Sequence, residues 1–166
     1  MDESIWLALS KSVDEVLALE DVDGVVITHG TDTMEETAFF LNLTVHSPKP
    51  IVLVGSMRLS DAVDADGPAN LLVAVKAAVS AKNAGREVLL CLGQKVFEAS
   101  EAFKKDSHAL DALDAVKTDF RVPQGLRAGF DVRKISELPR VEIVYGYGGA
   151  STLPMQAFID AHYEIV

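Results

Sequence analysis

A threonine and an aspartate stand side by side just after a short apolar run, and their side chains could do chemistry together. The run covers residues 24–28 and is followed by Gly30, Thr31 and Asp32. A hydroxyl and a carboxylate at a helix start lie where backbone N–H groups and the helix dipole bind an anion. Such a loop suits the carboxylate of an amino acid. The alternative is that Thr31, Asp32 and Thr33 only cap the following helix.

Two other loops follow apolar runs and would lie at the same edge of a parallel sheet. The first begins at Ser56 and reaches Asp66-Gly67-Pro68, which predicts a turn into a helix because proline fits the first helical turn. The second is a glycine-rich turn at residues 146–151. Its spacing matches neither a dinucleotide loop nor a phosphate loop, so we expect no nucleotide cofactor.

Composition and residue counts exclude several classes of protein. Twenty-five acidic against fifteen basic residues give a net charge of -10, which repels nucleic acid and anionic lipid. No run is long enough for a membrane helix, and the single cysteine, Cys91, is expected to be a buried thiol. The four histidines lack metal-ligand spacing, so we predict no metal site. His29 either organises its loop by hydrogen bonds or titrates usefully.

The elements that must position these loops alternate along the chain. Three apolar runs predict buried strands of a parallel sheet, at residues 24–28, 50–55 and 88–92, and a fourth run, at residues 141–145, predicts another strand. Helical spacing and capping signals predict four helices: residues 4–19, a helix from a Thr33–Glu36 capping box, residues 68–84 closed by Gly85, and residues 153–163. This order predicts an α/β fold in three layers, an open and mostly parallel sheet with helices on both faces. Residues 93–119 show no clear period.

A resemblance to a known family rests on the sequence around these loops. The stretch from Ile27 to Ala38 strongly resembles the second signature of the bacterial and fungal-type L-asparaginases, most closely their exported branch. Further similar segments lie at residues 40–45, 49–58, 65–71 and 137–154. The resemblance implies an incomplete N-terminal domain over residues 1–125, a linker over 126–139, and the beginning of a second α/β domain over 140–166. It also implies a homotetrameric family without a cofactor.

The resemblance assigns roles to individual residues. Thr31 is similar to one of two essential threonines, Asp32 to the residue that binds the substrate's α-amino group, and Lys104, by position, to the lysine that completes the triad. A neutral lysine can take a threonine proton, so the trio would be an activated nucleophile or a water-activating relay. The alternative for Lys104 is an ordinary surface lysine. Gly30 and Ser56 complete the predicted substrate-binding set, and Ser56, where the family usually has alanine, tunes substrate preference or fills space.

The implied activity is hydrolysis of L-asparagine, with L-glutamine as a second candidate, to the acid and ammonia through a threonine acyl-enzyme. The glycine-rich loop with the family's primary nucleophile has no match here, so we expect this chain alone to be nearly inert and, with apolar surface uncovered, poorly soluble. An intact relative would be periplasmic or secreted, although this chain shows no signal peptide. The alternatives are a shortened paralogue that binds an amino acid or a full-length subunit, and an unrelated doubly wound regulatory domain.

Overall fold

The computed structural model describes residues 1–116, 129–162 and 164–165. Within these ranges there are four α-helices: α1 (Glu3–Leu17), α2 (Met34–Thr44), α3 (Gly67–Ala78) and α4 (Leu153–Asp160). The strands of the same ranges are β1 (Val25–Thr28), β2 (Ile51–Val54), β3 (Leu89–Leu92), β4 (Lys95–Glu98), β5 (Ala102–Lys104), β6 (Leu113–Ala115), β7 (Val141–Glu142) and β8 (Glu164–Ile165).

The main sheet has four strands in the order β1-β2-β3-β4. The first three are parallel, with Val26 opposite Val52 and Val54 opposite Cys91, whereas β4 runs antiparallel to β3. A separate antiparallel pair is formed by β5 and β6, and a short parallel pair by β7 and β8. The predicted α/β class with a mostly parallel sheet is therefore confirmed.

Helices cover both faces of this sheet because successive strand residues point to opposite sides. Ile51 and Leu53 of β2 pack with α1 and α2, whose Leu17 and Leu41 belong to the same core cluster. The intervening residues of β2 face the other way, where Val52 packs with alanines of α3. All four residues of β2 are buried, as expected for a central strand covered twice. The three predicted layers are present.

Two helix predictions need correction. The helix from Pro68 was predicted to reach residue 84, but α3 ends at Ala78, and the side chain of Asn83 donates to the carbonyl of Ala77 at 2.9 Å. This bond satisfies a carbonyl of the last turn, and only a 3₁₀ turn at Ala81–Asn83 follows. The Thr33 side chain makes no capping bond, so the capping box is wrong in that respect.

The C-terminal predictions are confirmed only in outline. The strand predicted over 141–145 is limited to Val141–Glu142, and the helix predicted over 153–163 ends at Asp160, with Tyr163 outside the described residues. Of the proposed linker, residues 126–128 lie outside the described ranges, and residues 129–139 contain no helix or strand. The domain boundaries stay predictions. No helix in the described part of the chain is long and apolar enough to cross a membrane.

Candidate active site

The first loop of the site leaves β1 and enters α2. β1 ends at Thr28 and α2 begins at Met34, so Thr31 and Asp32 occupy the turn between a strand's carboxyl end and a helix's amino end. Thr31 is partly exposed, and the Asp32 side chain is 90% exposed. Neither side chain is sealed under neighbouring residues. The loop is therefore placed where α/β sheets bind their ligands.

Lys104 reaches this loop from the last residue of β5. Its Nζ donates to the hydroxyl oxygen of Thr31 at 3.0 Å and directly to a carboxylate oxygen of Asp32. The Lys104 side chain is only 15% exposed, whereas its neighbour Lys105 is 36% exposed and pairs with Asp114. The ammonium of Lys104 holds the pKa of Asp32 below its usual value, first through this hydrogen bond and then through charge attraction. Lys104 is thus largely buried against Thr31 and Asp32, and its predicted catalytic role stays a prediction.

His29 connects the site loop to the body of the domain. Its Nδ1 donates to the carbonyl of Gly30 at 2.6 Å, and its Nε2 lies 3.1 Å from the hydroxyl of Thr37 on α2. The same hydroxyl accepts a hydrogen bond from the indole of Trp6 on α1 at 2.9 Å. The histidine therefore organises the loop, as one of the two sequence interpretations proposed.

Ser56 and Gly30 lie beside the trio without joining its contacts. The hydroxyl of Ser56 donates to the carbonyl of Arg58 within its own loop at 3.2 Å. Gly30 is exposed, and a side chain built there would meet nothing within 4 Å. The structure thus brings Thr31, Asp32 and Lys104 together, and their contacts do not include Gly30 or Ser56. Their predicted role in binding substrate stays a prediction.

Gly55 is a site residue that the sequence analysis did not single out. It directly follows β2, and a Cβ built on it would lie 2.8 Å from the methyl carbon of Thr31 and 3.1 Å from the carbonyl oxygen of His29. A side chain at this position would therefore displace Thr31. The signal in the sequence is a glycine directly after a buried strand, which marks a close approach of another chain segment.

Asn70 of α3 joins the loops that leave β2 and β3. This fully buried residue donates to the carbonyl of Gly55 at 3.1 Å and to Asp66 at 2.9 Å, and it accepts from the amide of Gln94 at 3.0 Å. Because buried amides need partners, an asparagine with every polar atom bonded fixes the geometry around it. Asn70 therefore determines where Gly55, and with it Thr31, is placed.

Asp66 fixes the loop of Ser56 from the opposite side. Its carboxylate accepts from the amides of Met57 and Arg58 at 3.0–3.1 Å. Burial works to raise the pKa of Asp66, but these hydrogen bonds and the one from Asn70 outweigh it, so the pKa lies below the usual value. The predicted turn at Asp66-Gly67-Pro68 is confirmed, with proline in the first turn of α3.

Fold and site together define the class: this is an α/β protein in which a hydroxyl, a carboxylate and an amine meet at the carboxyl edge of a parallel sheet. Residues 1–122 match the family described as Asparaginase, N-terminal. The chain belongs to the asparaginase family. The members it matches carry names of hydrolases that act on amides.

The relatives cover the chain almost completely. L-asparaginase 2 of Escherichia coli K12 is 41% identical over 99% of this chain and 51% of its own length. The glutaminase-asparaginase of Pseudomonas fluorescens biotype A is 41% identical over 93% of the chain and 47% of its own length. A crystal structure titled as a probable cytoplasmic L-asparaginase of Campylobacter jejuni superposes with a TM-score of 0.89 at 38% identity, covering 99% of this chain and 58% of that one.

The chain thus spans about half the length of the curated relatives it matches. The relatives differ in compartment, since one from Haemophilus influenzae is named a probable periplasmic L-asparaginase and the Campylobacter protein carries the word cytoplasmic in its title. Similarity alone therefore assigns no compartment to this chain.

Proposed function

We propose that this chain carries the Thr31–Asp32–Lys104 part of an L-asparaginase site, which hydrolyses the side-chain amide of L-asparagine to L-aspartate and ammonia. One observation supports this most directly: the Lys104 Nζ contacts the Thr31 hydroxyl and the Asp32 carboxylate at once. A surface ion pair would need only the carboxylate. A contact with both groups suits the activation of a hydroxyl.

Proton transfer within the trio would run from threonine to lysine. In its neutral form the Lys104 amine accepts the Thr31 proton, and the Asp32 carboxylate stabilises the resulting ammonium. The freed oxygen then attacks the amide carbon or takes a proton from an attacking water, and the leaving nitrogen departs as ammonia with a proton returned by Lys104. The Asp32 side chain, 90% exposed, keeps oxygen surface for the α-amino group of the substrate.

The substrate class that we propose is the one the family indicates. Relatives are named for asparagine and glutamine amides, so small amino-acid amides are the substrates to test. We propose L-asparagine as the preferred one and a homotetramer as the assembly, which sedimentation of the purified chain would measure. We also propose that a whole relative of the exported branch acts in the periplasm or outside the cell.

The test combines binding and turnover on the purified chain. Calorimetry with L-aspartate measures whether the loop binds an amino acid, and an ammonia-release assay with L-asparagine and then L-glutamine measures hydrolysis. Thr31→Ala and Asp32→Ala are expected to abolish binding. Glu36→Ala is the matched control, because Glu36 lies on the first turn of α2 but is exposed.

The outcomes separate the candidate functions. Binding that depends on Thr31 together with ammonia release supports the hydrolase. Binding without ammonia release fits the second candidate, a chain that binds an amino acid or pairs with a full-length subunit without catalysis, but also a hydrolase site that is nearly inert in this chain alone. No aspartate binding by a folded chain would contradict the proposal that this loop is a substrate site.

A further inference from the structure

The side-chain contacts of Lys104 do not explain what holds its backbone in place. Lys104 ends β5, and β5 pairs only with β6 in the described part of the chain, outside the four-stranded main sheet. The main sheet therefore does not fix the backbone of Lys104 by strand hydrogen bonds. Some other group must place the lysine opposite Thr31.

The pattern of hydrogen bonds between β5 and β6 shows which way the Lys104 amide points. Lys105 N donates to Ala112 O at 2.8 Å, and Val116 N donates to Glu101 O at 2.8 Å. In an antiparallel pair the residues that face the partner strand alternate, so the backbone groups of Lys104, which lies between, point away from β6. An N–H group on that open side needs another acceptor.

Glu35 supplies that acceptor. The Lys104 amide donates to Oε2 of Glu35, which lies on the first turn of α2, three residues after Asp32. The segment from Thr31 to Glu35 therefore contacts Lys104 at both ends: Glu35 at the backbone amide, and Thr31 and Asp32 at Nζ. Both contacts come from one short piece of chain, so the distance between them is fixed.

We propose that Glu35 is a positioning residue that docks the open edge of β5 on α2 and thereby places the Lys104 amine against the Thr31 hydroxyl. Glu35 touches the backbone of Lys104 and acts on the reacting atoms only through it. The inference rests on the proposed function, because it concerns how the same three-residue site is assembled. Glu35 is a charged residue outside the Thr–Asp–Lys trio, and the inference gives it a part in assembling the site.

The experiment compares Glu35→Ala, Glu35→Gln and the control Glu36→Ala by amine labelling of the folded chain. The rate at which Lys104 is modified is measured by tandem mass spectrometry against Lys105, which is 36% exposed and is the internal standard. A hydrogen bond to a charged group contributes a factor of roughly ten or more to a local equilibrium. We therefore expect Glu35→Ala to raise the Lys104/Lys105 labelling ratio roughly tenfold. Glu36→Ala leaves the ratio unchanged, and Glu35→Gln, whose amide oxygen still accepts, restores most of the protection.

A spectroscopic measurement covers the case in which Glu35→Ala does not fold. In Glu35→Gln, which keeps an acceptor oxygen but removes the negative charge, the proton shift of the Lys104 amide should differ from that in the unmodified chain. An identical Lys104 amide shift in Glu35→Gln and in the unmodified chain, or equal labelling ratios in folded Glu35→Ala and unmodified chain, would overturn the inference. Neither readout needs turnover or a bound amino acid, so absence of aspartate binding with a positive labelling result rejects the proposed function alone.

Discussion

Replacement of Gly55 by alanine tests the packing between β2 and the site loop. The new Cβ would lie 2.8 Å from the Thr31 methyl carbon, 3.1 Å from the His29 carbonyl oxygen and 3.5 Å from the Met34 sulfur. The Thr31 methyl can move, but that rotation carries its hydroxyl away from the Lys104 Nζ, now at 3.0 Å. Forcing one extra carbon into a packed position costs about 1–3 kcal/mol of the free energy of unfolding.

The assay is a urea titration followed by the fluorescence of the single tryptophan, Trp6. Gly55→Ala should lower the midpoint with an unchanged slope, and in a thermal scan it should lower Tm by roughly 2–4 °C for each kcal/mol lost. Gly30→Ala is the matched control, because a Cβ there meets nothing within 4 Å, and its effect should stay within about 0.5 kcal/mol. Equal midpoints for the two variants would refute the packing argument.

Three further predictions follow from buried or exposed groups. The pKa of Asp66 is lowered, so its stabilising contribution is complete above the unfolded-state value of 3.8 and is lost as pH falls through the folded-state pKa. Asp66→Asn should therefore lower the free energy of unfolding by about 1.5–3 kcal/mol near neutral pH. Urea titrations under acid conditions should show a smaller loss. Burial raises the pKa of Cys91 to about 11, so a thiol reagent at mildly alkaline pH should modify it only after urea unfolding, and rapid modification of the folded chain would contradict this. Leu72 of α3 is 56% exposed, and Val79, the residue directly after the helix, is 65% exposed. Val79→Lys should therefore raise the soluble fraction after expression without lowering the urea midpoint.

Much of the main sheet could be predicted because its strands are short, fully apolar and covered on both faces. The run at β2 is buried at every residue, so its composition alone indicates a central parallel strand. The first helix could also be predicted from the sequence, because Asp2 accepts from the amide of Ile5 as an N-cap and the apolar residues repeat at helical spacing. These features depend on neighbours along the chain.

β4 was missed because it is an edge strand in which exposed and half-buried residues mix, and a run of four such residues has no readable period. The turn before it, Gly93-Gln94, has positive φ at both residues, with values of 57° and 59°. A two-residue turn of this kind joins antiparallel strands, so the glycine after the apolar run was the available signal. Gln94 is an unusual residue for such a backbone, which concealed that signal.

The residues of the site also differ in whether the sequence could predict them. Thr31 and Asp32 could be predicted because they directly follow a strand, whereas the placement of Lys104 depends on contacts with residues about seventy positions away along the sequence. The strands that carry Lys104 and its partner are three residues long each, too short for a pattern. Only the resemblance to a family pointed to this lysine. The role of Glu35, which accepts from the Lys104 amide, and that of Asn70, which binds the Gly55 carbonyl, follow only from the three-dimensional contacts.

Because β5 and β6 form a separate hairpin, the trio can come apart while the main sheet stays intact. The hairpin is anchored to the body by buried Ala112 and Leu113, by the bond of Ser100 to Glu87, and by the contact with α2. Units with so few anchors open at a lower free energy than the whole domain. Mild denaturant should therefore detach the amine from its hydroxyl while the helical circular dichroism of the chain is still intact.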